Sequence, residues 1–268
     1  MQSQTRNSIA LITGGCSGIG LAIGYELASR GYDLVLVSNR DTEIREACES
    51  IATMYGRKTW PVCINLGEPD AATKLYDWCR KEALEIEILV NNAGIFFFKE
   101  VVETNTDIAS LMLQLHTTTP ALLSKLFGKD MKLRRSGHIM YISSLAAYMP
   151  YPGIALYSAT KSFLKTFSRA LRSEMREYGV NVTCVFPGAV STQLYALSEA
   201  DHKKALRSGI MMRADKLAKK AVSAMLKRKG RLVPGIFNRI SLWMLLMTPH
   251  GLIILIRKYS RLLPPDKN

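Results

Sequence analysis

The chain has few cysteines, and their spacing argues against a zinc site. The 268 residues contain five cysteines, none of which forms a Cys-x-x-Cys pair or joins histidines in a zinc-binding pattern. We therefore expect free thiols in a reducing compartment and no metal site. The first residues, "MQSQTRNSIALITGG", also lack the charged and then apolar pattern of a secretory signal, which predicts a cytoplasmic start.

Acidic residues are nearly absent from the last quarter of the chain. Residues 202–268 hold 16 of the 36 lysines and arginines but only two of the 22 acidic residues, Asp215 and Asp266. The preceding residues carry twenty of each sign, so the net charge of +14 lies in the tail. A neutral body with a basic tail argues against a general nucleic-acid binder and favours a local contact with an anionic surface.

Internal repeats, linkers and low-complexity segments are also missing, which predicts one domain over residues 1–268. Short apolar runs rich in valine and isoleucine, such as "DLVLVSNR" and "EILVNNAG", alternate with helix-like stretches. Strands that are apolar on both faces are typical of parallel sheets covered by helices on two sides. The alternation predicts an α/β fold with a doubly wound, Rossmann-type parallel sheet, followed by a helical, apolar C-terminal extension over 236–268.

The first predicted strand ends in a glycine-rich stretch, "TGGCSGIG" at positions 13–20. Glycines let the backbone turn sharply and approach a phosphate, while the free N–H groups of the following helix face the anion. Such a turn between a strand and a helix predicts dinucleotide binding. Cys16 within the turn is either a small residue that fits there or a redox-sensitive thiol beside a helix N-terminus.

Four further motifs follow the glycine turn: "NNAG" at 91–94, Ser144, "YSATK" at 157–161 and "PG" at 187–188. In their order and spacing the chain resembles the short-chain dehydrogenase/reductase family, and loosely its lipid- and steroid-acting members such as 3-ketosphinganine reductases. The resemblance implies hydride transfer between a nicotinamide cofactor and a ketone or secondary alcohol. It also implies that the cofactor contacts Gly14, Ser17, Gly18, Ile19, Gly20, Ser38, Asn39, Arg40, Asn65, Leu66, Asn92, Ala93, Gly94, Tyr157, Lys161, Pro187, Gly188, Val190 and Thr192.

The end of the second predicted strand bears on which nicotinamide is bound. NAD-binding proteins of this fold place an acidic residue there to hold the ribose hydroxyls. Here Ser38 is followed by Asn39 and Arg40, so no acid repels a 2′-phosphate and Arg40 can pair with one. This favours NADP(H) over NAD(H). The arginine usual in the family would stand at position 39, and the alternative is that Arg40 is a solvated loop residue.

Tyr157 and Lys161 are four residues apart, which places both side chains on one face at the start of a predicted helix. A free tyrosine has a pKa of about 10, and a nearby ammonium group lowers it towards the range that general acid–base catalysis needs. Ser144 ends the predicted strand "GHIMYISS", where its hydroxyl can donate to a substrate oxygen that gains negative charge. The family pattern implies that the serine orients a carbonyl, the tyrosine protonates it and the lysine also holds the nicotinamide ribose.

His116 stands where family members usually carry an asparagine that completes a proton relay through water. An imidazole has an unperturbed pKa of about 6.5, so it can hold a water molecule and pass protons. We therefore include His116 among the candidate catalytic residues. The alternative is a core histidine whose hydrogen bonds are satisfied, with the relay served by a backbone carbonyl.

The sequence gives weaker signals for the residues that contact the substrate. Three aromatic residues, 96–98, follow "NNAG", and they either lie at the rim of the ligand crevice or pack under a loop. Residues 193–212, "QLYALSEADHKKALRSGIMM", form a candidate substrate lid because the family has a variable covering segment there.

Near the chain end, "ISLWMLLMTPHGLIILI" at 240–256 is apolar but interrupted by Pro249. It is too short and too broken for a transmembrane helix, which predicts two short helices joined by a turn. Apolar helices flanked by basic residues suit attachment to an anionic membrane surface, which would make a cytoplasmic protein peripheral on the inner face of a membrane. They suit equally well burial at an oligomer interface or over the substrate pocket.

These patterns together predict an NADP(H)-dependent oxidoreductase. Its expected substrate is a small hydrophobic ketone or alcohol, such as a long-chain 3-oxo lipid, a sphingoid ketone or a steroid. We expect a homodimer or homotetramer and no nucleic-acid partner. The alternative function is a cofactor-binding regulator or scaffold that keeps the fold without turnover.

Overall fold

The computed structural model describes residues 8–149, 151–191 and 211–247, and its centre is a seven-stranded parallel sheet. The strands follow the order β3-β2-β1-β4-β5-β6-β9. Their bounds are β1 (Ile9–Thr13), β2 (Asp33–Ser38), β3 (Thr59–Cys63), β4 (Ile86–Asn91), β5 (Gly137–Ile142), β6 (Val180–Val185) and β9 (Arg231–Leu232). Two short strands, β7 (Val190–Ser191) and β8 (Met212–Arg213), pair with each other. The predicted doubly wound parallel sheet is confirmed.

Helices separate the strands along the chain. They are α1 (Gly18–Ala28), α2 (Asp41–Tyr55), α3 (Ala71–Lys81), α4 (Thr106–Leu113), α5 (Thr119–Arg134), α6 (Ala155–Met175), α7 (Ala214–Leu226) and α8 (Ile236–Met247). A π-helical turn, Gln114–Thr118, joins α4 to α5. Short 3-10 helices cover Val101–Glu103, Leu145–Tyr148 and Arg176–Tyr178.

Two apolar cores lie on opposite faces of the sheet, because successive side chains of a strand point to opposite sides. Along β2, Leu34 and Leu36 pack on the side of α1, α2 and α7. Val35 and Val37 pack on the side of α3, α5 and α6. All four are fully buried. This burial on both faces explains why the strands read as continuous apolar runs in the sequence.

The strand order places a binding crevice at the carboxyl ends of the central strands. The chain runs outwards through β1, β2 and β3, then crosses back and continues through β4, β5 and β6 on the other side of β1. Loops that leave the carboxyl ends of β1 and β4 therefore diverge, and in this class of fold ligands bind where they part.

The predicted C-terminal extension begins with the apolar helix α8. Its remainder, 248–268, and residues 193–210 of the candidate lid lie outside the described residues, and the single-domain organisation stays a prediction. Across 8–149, 151–191 and 211–247, no helix is both long and apolar enough to cross a membrane.

Candidate active site

A cavity of about 450 Å³ opens at the carboxyl edge of the sheet. The loops after the central strands and the start of α6 form its walls. The candidate site residues that line it are Gly14, Ser17, Gly18, Ile19, Ser38, Asn39, Arg40, Asn65, Leu66, Asn92, Ala93, Gly94, His116, Ser144, Tyr157, Lys161, Pro187, Gly188 and Val190. Gly20 does not line the cavity, and Thr192 lies outside the described residues.

The cavity wall also contains residues that sequence reasoning did not assign to the site. They are Cys16, Ile64, Ile95, Leu111, Leu115, Ile142 and Ser143. Five of them are direct sequence neighbours of a predicted site residue: Cys16, Ile64, Ile95, Leu115 and Ser143. Leu111 and Leu115 come from the helical segment around the π-helical turn, where apolar residues give no signal that separates a pocket wall from a core.

The glycine turn adopts backbone conformations that residues with a side chain rarely adopt. Gly14 and Gly18 have φ values of 65° and 56°, a region that favours glycine. A Cβ atom on Gly20 would lie 2.1 Å from the carbonyl oxygen of Gly14, so Gly20 lets α1 pack against the turn behind the cavity. The backbone of the turn and the N-terminus of α1 line the cavity and fit a phosphate group.

Asn92 ties the end of β4 to this turn. Its side-chain Nδ2 donates to the carbonyl oxygens of Thr13 and Gly14, at 2.9 and 3.2 Å. The Thr13 hydroxyl oxygen accepts from the backbone N–H groups of Asn92 and Ala93, at 2.9 and 3.0 Å. These bonds fix the two diverging loops relative to each other, and thereby fix the width of the crevice between them.

Arg40 reaches across the cavity mouth from the end of β2 to the glycine turn. Its guanidinium donates to Ser17 Oγ at 2.7 Å and to Cys16 Sγ at 3.1 Å. The Cys16 sulfur also lies 3.1 Å from Ser38 Oγ. Glu43 lies 3.4 Å from the other side of the guanidinium, but it is not a cavity residue. Arginine and hydroxyl donors at this place match the chemistry of a phosphate monoester.

Tyr157 and Lys161 are both buried in the first turns of α6. The Lys161 Nζ atom lies 5.5 Å from the centre of the Tyr157 ring and donates to the carbonyl oxygen of Ile142 at 3.1 Å. Burial lowers the pKa of Lys161 from 10.5 to about 8, so the ammonium form still predominates at neutral pH. Ser143 Oγ donates to the Lys161 carbonyl oxygen at 2.9 Å, which fastens α6 to the end of β5.

Ser144 follows β5 and begins the 3-10 helix Leu145–Tyr148. Its Oγ accepts a hydrogen bond of 3.1 Å from the backbone N–H of Ala146. This bond orients the oxygen atom, and the hydroxyl proton can then be donated to a substrate oxygen in the cavity.

His116 is buried in the cavity wall, with 1% of its surface exposed. Its Nε2 accepts from the backbone N–H of Ile95 at 3.0 Å, and its Nδ1 lies 2.9 Å from Thr160 Oγ1. Thr160 in turn donates to the Tyr157 carbonyl oxygen at 2.8 Å. Burial and, second, the charge of Lys161 hold the pKa of His116 well below 6.5. Both ring nitrogens are thus occupied by protein groups, as in the alternative of a core histidine with satisfied hydrogen bonds.

The aromatic residues 96–98 lie behind the reacting groups. None of the three lines the cavity. The Phe96 ring meets the Tyr157 ring edge to face, with centres 4.9 Å apart, and Phe98 contacts Tyr151 at 6.4 Å. They belong to a small apolar cluster with Met112 and Ile154. Of the two alternatives, the geometry is that of packing under a loop.

Comparison with known families identifies the chain. The sequence model of the protein family described as short chain dehydrogenase matches residues 8–203 of the chain. The chain belongs to the short-chain dehydrogenase family. This membership confirms the resemblance found in the motifs, from the glycine turn to the "PG" pair.

Two similar members of the short-chain dehydrogenase family are named for a hydroxysteroid and for a very-long-chain 3-oxoacyl-CoA. The chain is 36% identical to mouse 17-beta-hydroxysteroid dehydrogenase type 3 over 191 residues, which cover 69% of this chain and 61% of that protein. It is 33% identical to the very-long-chain 3-oxoacyl-CoA reductase of Anas platyrhynchos over 202 residues, which cover 73% of this chain and 64% of that protein. The chain therefore spans less than two thirds of the length of these relatives.

A solved short-chain dehydrogenase has the same fold over nearly the whole chain. The structure of an enzyme from Sphingobium yanoikuyae in complex with NADPH superposes with a TM-score of 0.77 at 24% identity. It covers 97% of this chain and 99% of that one. At this level of identity the likeness concerns the fold.

Proposed function

We propose that this short-chain dehydrogenase transfers a hydride between NADP(H) and a ketone or secondary alcohol with a hydrophobic body. The supporting observation is that Ser144, Tyr157 and Lys161 line the same cavity as the glycine turn. A regulator or scaffold needs the turn to bind a cofactor, but it has no need of an acid, a cation and a hydroxyl donor in the same cavity.

Each of the three side chains has a separate task in reduction. Ser144 donates a hydrogen bond to the carbonyl oxygen and holds it beside the Tyr157 hydroxyl. Tyr157 gives its proton to that oxygen as negative charge develops there. The buried ammonium of Lys161, 5.5 Å from the ring centre, stabilises the negative charge that remains on the tyrosine oxygen. The nicotinamide cofactor supplies the hydride when bound.

The preference for NADP(H) rests on the end of β2. Ser38, Asn39 and Arg40 line the cavity, and none of them is acidic. The Arg40 guanidinium lies 2.7 Å from Ser17 Oγ, so two donors lie where an adenosine ribose would extend beyond the turn. A carboxylate at position 38 would repel a 2′-phosphate, whereas this arrangement attracts one.

The proposed substrate class is supported by the cavity wall after β4 and by the names of similar proteins. Ile95, next to Gly94, adds an apolar side chain to this wall, which favours a hydrocarbon body over a sugar. The relatives named for a hydroxysteroid and for a very-long-chain 3-oxoacyl-CoA support a steroid or long-chain 3-oxo substrate. A homodimer or homotetramer completes the proposal.

The test is oxidation of NADPH, followed by absorbance, with ketones of increasing apolar length. We expect turnover to rise with chain length and Tyr157→Phe to lower kcat by about 100-fold or more. Tyr178→Phe is the matched control, because this ring packs against Lys132 on the surface. A wild-type protein that binds NADPH but turns over none of the ketones would contradict the enzyme proposal and favour a regulator.

A further inference from the structure

Helix α8 forms part of the wall beside the cavity. The Asn238 side chain packs on Gly188, where a Cβ atom would lie 2.4 Å from Asn238 Oδ1. Leu242, on the same face, is buried in the core cluster that contains Phe186. The helix also packs against the 3-10 helix that follows Ser144. One face of α8 is therefore fixed on the protein next to the candidate nicotinamide end of the site.

The outward face of α8 is apolar and exposed. Ile236, Phe237, Ile240 and Trp243 have exposed fractions of 76%, 61%, 54% and 71%. Ile236, Ile240 and Trp243 are spaced by four and three residues, so they form one stripe along the helix. Large apolar side chains grouped in this way are unusual on a protein that meets only water.

The charge of α8 and of the sequence segment that contains it indicates what covers this face. Arg239 is exposed on α8 itself, and the sequence from 202 to 268 holds 16 basic residues against two acidic ones. A second copy of the chain would bring the same excess of positive charge against itself. An anionic lipid surface complements the charge, and its interface accommodates tryptophan and aliphatic side chains at the level of the headgroups.

We propose that the outward face of α8 docks on an anionic phospholipid membrane. Its 12 residues give a length of about 18 Å, which suits a helix lying in the plane of the interface. Because its inner face packs beside the cavity, docking brings the active-site wall to the lipid surface. The passage of a hydrophobic substrate from the membrane into the cavity rests on the proposed function, whereas the docking itself does not.

The experiment is sedimentation of the full chain with vesicles of phosphatidylcholine alone or mixed with phosphatidylserine. We expect binding to the anionic vesicles, weakened by added salt. The double variant Ile240→Ser/Trp243→Ser should lower the affinity about tenfold or more, since apolar burial drives interfacial binding. The matched control is Met54→Ser/Leu133→Ser, which removes two side chains that are 62% and 75% exposed elsewhere on the surface.

Three outcomes would overturn the docking proposal. They are equal binding of the double variant and the wild type, equal binding to neutral and anionic vesicles, and dissociation of an oligomer by the double variant without loss of vesicle binding. The last result would assign the face to a second copy of the chain. NADPH turnover on a water-soluble ketone without vesicles is measured in parallel. We expect this turnover to be unchanged in the double variant, so failure of docking and failure of the proposed reaction are distinguishable.

Discussion

His116 Nδ1 and Thr160 Oγ1 lie 2.9 Å apart and join the π-helical turn to the helix that carries Tyr157 and Lys161. The neighbouring hydrogen bonds determine which of these two atoms carries the proton. The Ile95 N–H donates to Nε2, so Nε2 carries no hydrogen. Thr160 gives its own hydroxyl proton to the Tyr157 carbonyl oxygen, so Nδ1–H donates to Thr160. His116 is therefore a neutral imidazole in one tautomer.

This bonding predicts how turnover responds at position 116. In His116→Asn, the amide oxygen can still accept from the Ile95 N–H, so we expect kcat to be kept or raised. His116→Leu leaves that N–H without an acceptor, which costs about 1–3 kcal/mol in burial of an unsatisfied group and loosens α6. We expect a clear loss of kcat in His116→Leu only. Steady-state kinetics of both variants check this, and a collapse of turnover in His116→Asn would show a dedicated role for the imidazole.

Stability below neutral pH should also depend on His116. Its pKa in the folded protein is well below 6.5, so below pH 6.5 the unfolded chain binds a proton that the folded chain excludes. Stability is therefore lost as pH falls, by up to about 1.4 kcal/mol per pH unit from this residue. Urea unfolding between pH 7 and pH 5 should show a shallower pH dependence for His116→Asn than for the wild type. Identical slopes would mean that the imidazole is protonated in place.

Lys161 should lower stability while supporting activity. Because burial lowers its pKa from 10.5 to about 8, the charged form costs about 3 kcal/mol at pH 7. The cost falls as pH rises from 8 to 10.5, because there the unfolded chain still binds a proton that the folded chain has lost. Lys161→Met should therefore abolish turnover but unfold at an equal or higher urea concentration at pH 7. The difference in stability should shrink by pH 10, and a large destabilisation at pH 7 would contradict this.

The sequence identifies the parts of the site that carry a local signal. The glycine turn, Ser144 and the Tyr157–Lys161 pair are recognisable because their chemistry needs specific residue types at short spacing. The sheet is predictable because strands buried on both faces read as apolar runs.

Other features depend on contacts that spacing does not encode. Thr160 contacts His116, which is 44 residues away in the sequence. The sequence "QLHTT" predicts an ordinary helix, although it forms a π-helical turn. The aromatic residues 96–98 fit a pocket rim and a packed cluster equally well until the backbone direction after β4 is known. Leu111 and Leu115 line the cavity for the same reason that they would line a core, which is that they are apolar.

Gly20 should be intolerant of a single methyl group. Its Cβ would lie 2.1 Å from the Gly14 carbonyl oxygen and 2.5 Å from Asn92 Nδ2, and neither atom can move without opening the turn. We expect Gly20→Ala to destabilise the protein by about 1–3 kcal/mol and to weaken NADPH binding. Gly128→Ala in α5 is the matched control, since its Cβ meets only ordinary contacts at 3.7 and 3.8 Å, and it should be neutral or stabilising. Thermal unfolding and NADPH titration of both variants decide the matter.

Arg40 should affect one nicotinamide cofactor and not the other. Its guanidinium lies between Ser17 and Glu43 at the mouth of the cavity, and the proposed partner is the 2′-phosphate, which NADP(H) has and NAD(H) lacks. We expect Arg40→Leu to raise the KM for NADPH about tenfold, the size of a lost charge-assisted contact, and to leave the KM for NADH unchanged. Arg45→Leu is the matched control, because Arg45 is exposed, pairs with Asp41 and does not line the cavity. Equal KM values for NADPH and NADH in the wild type would show that Arg40 does not select the cofactor and that the assignment of NADP(H) is wrong.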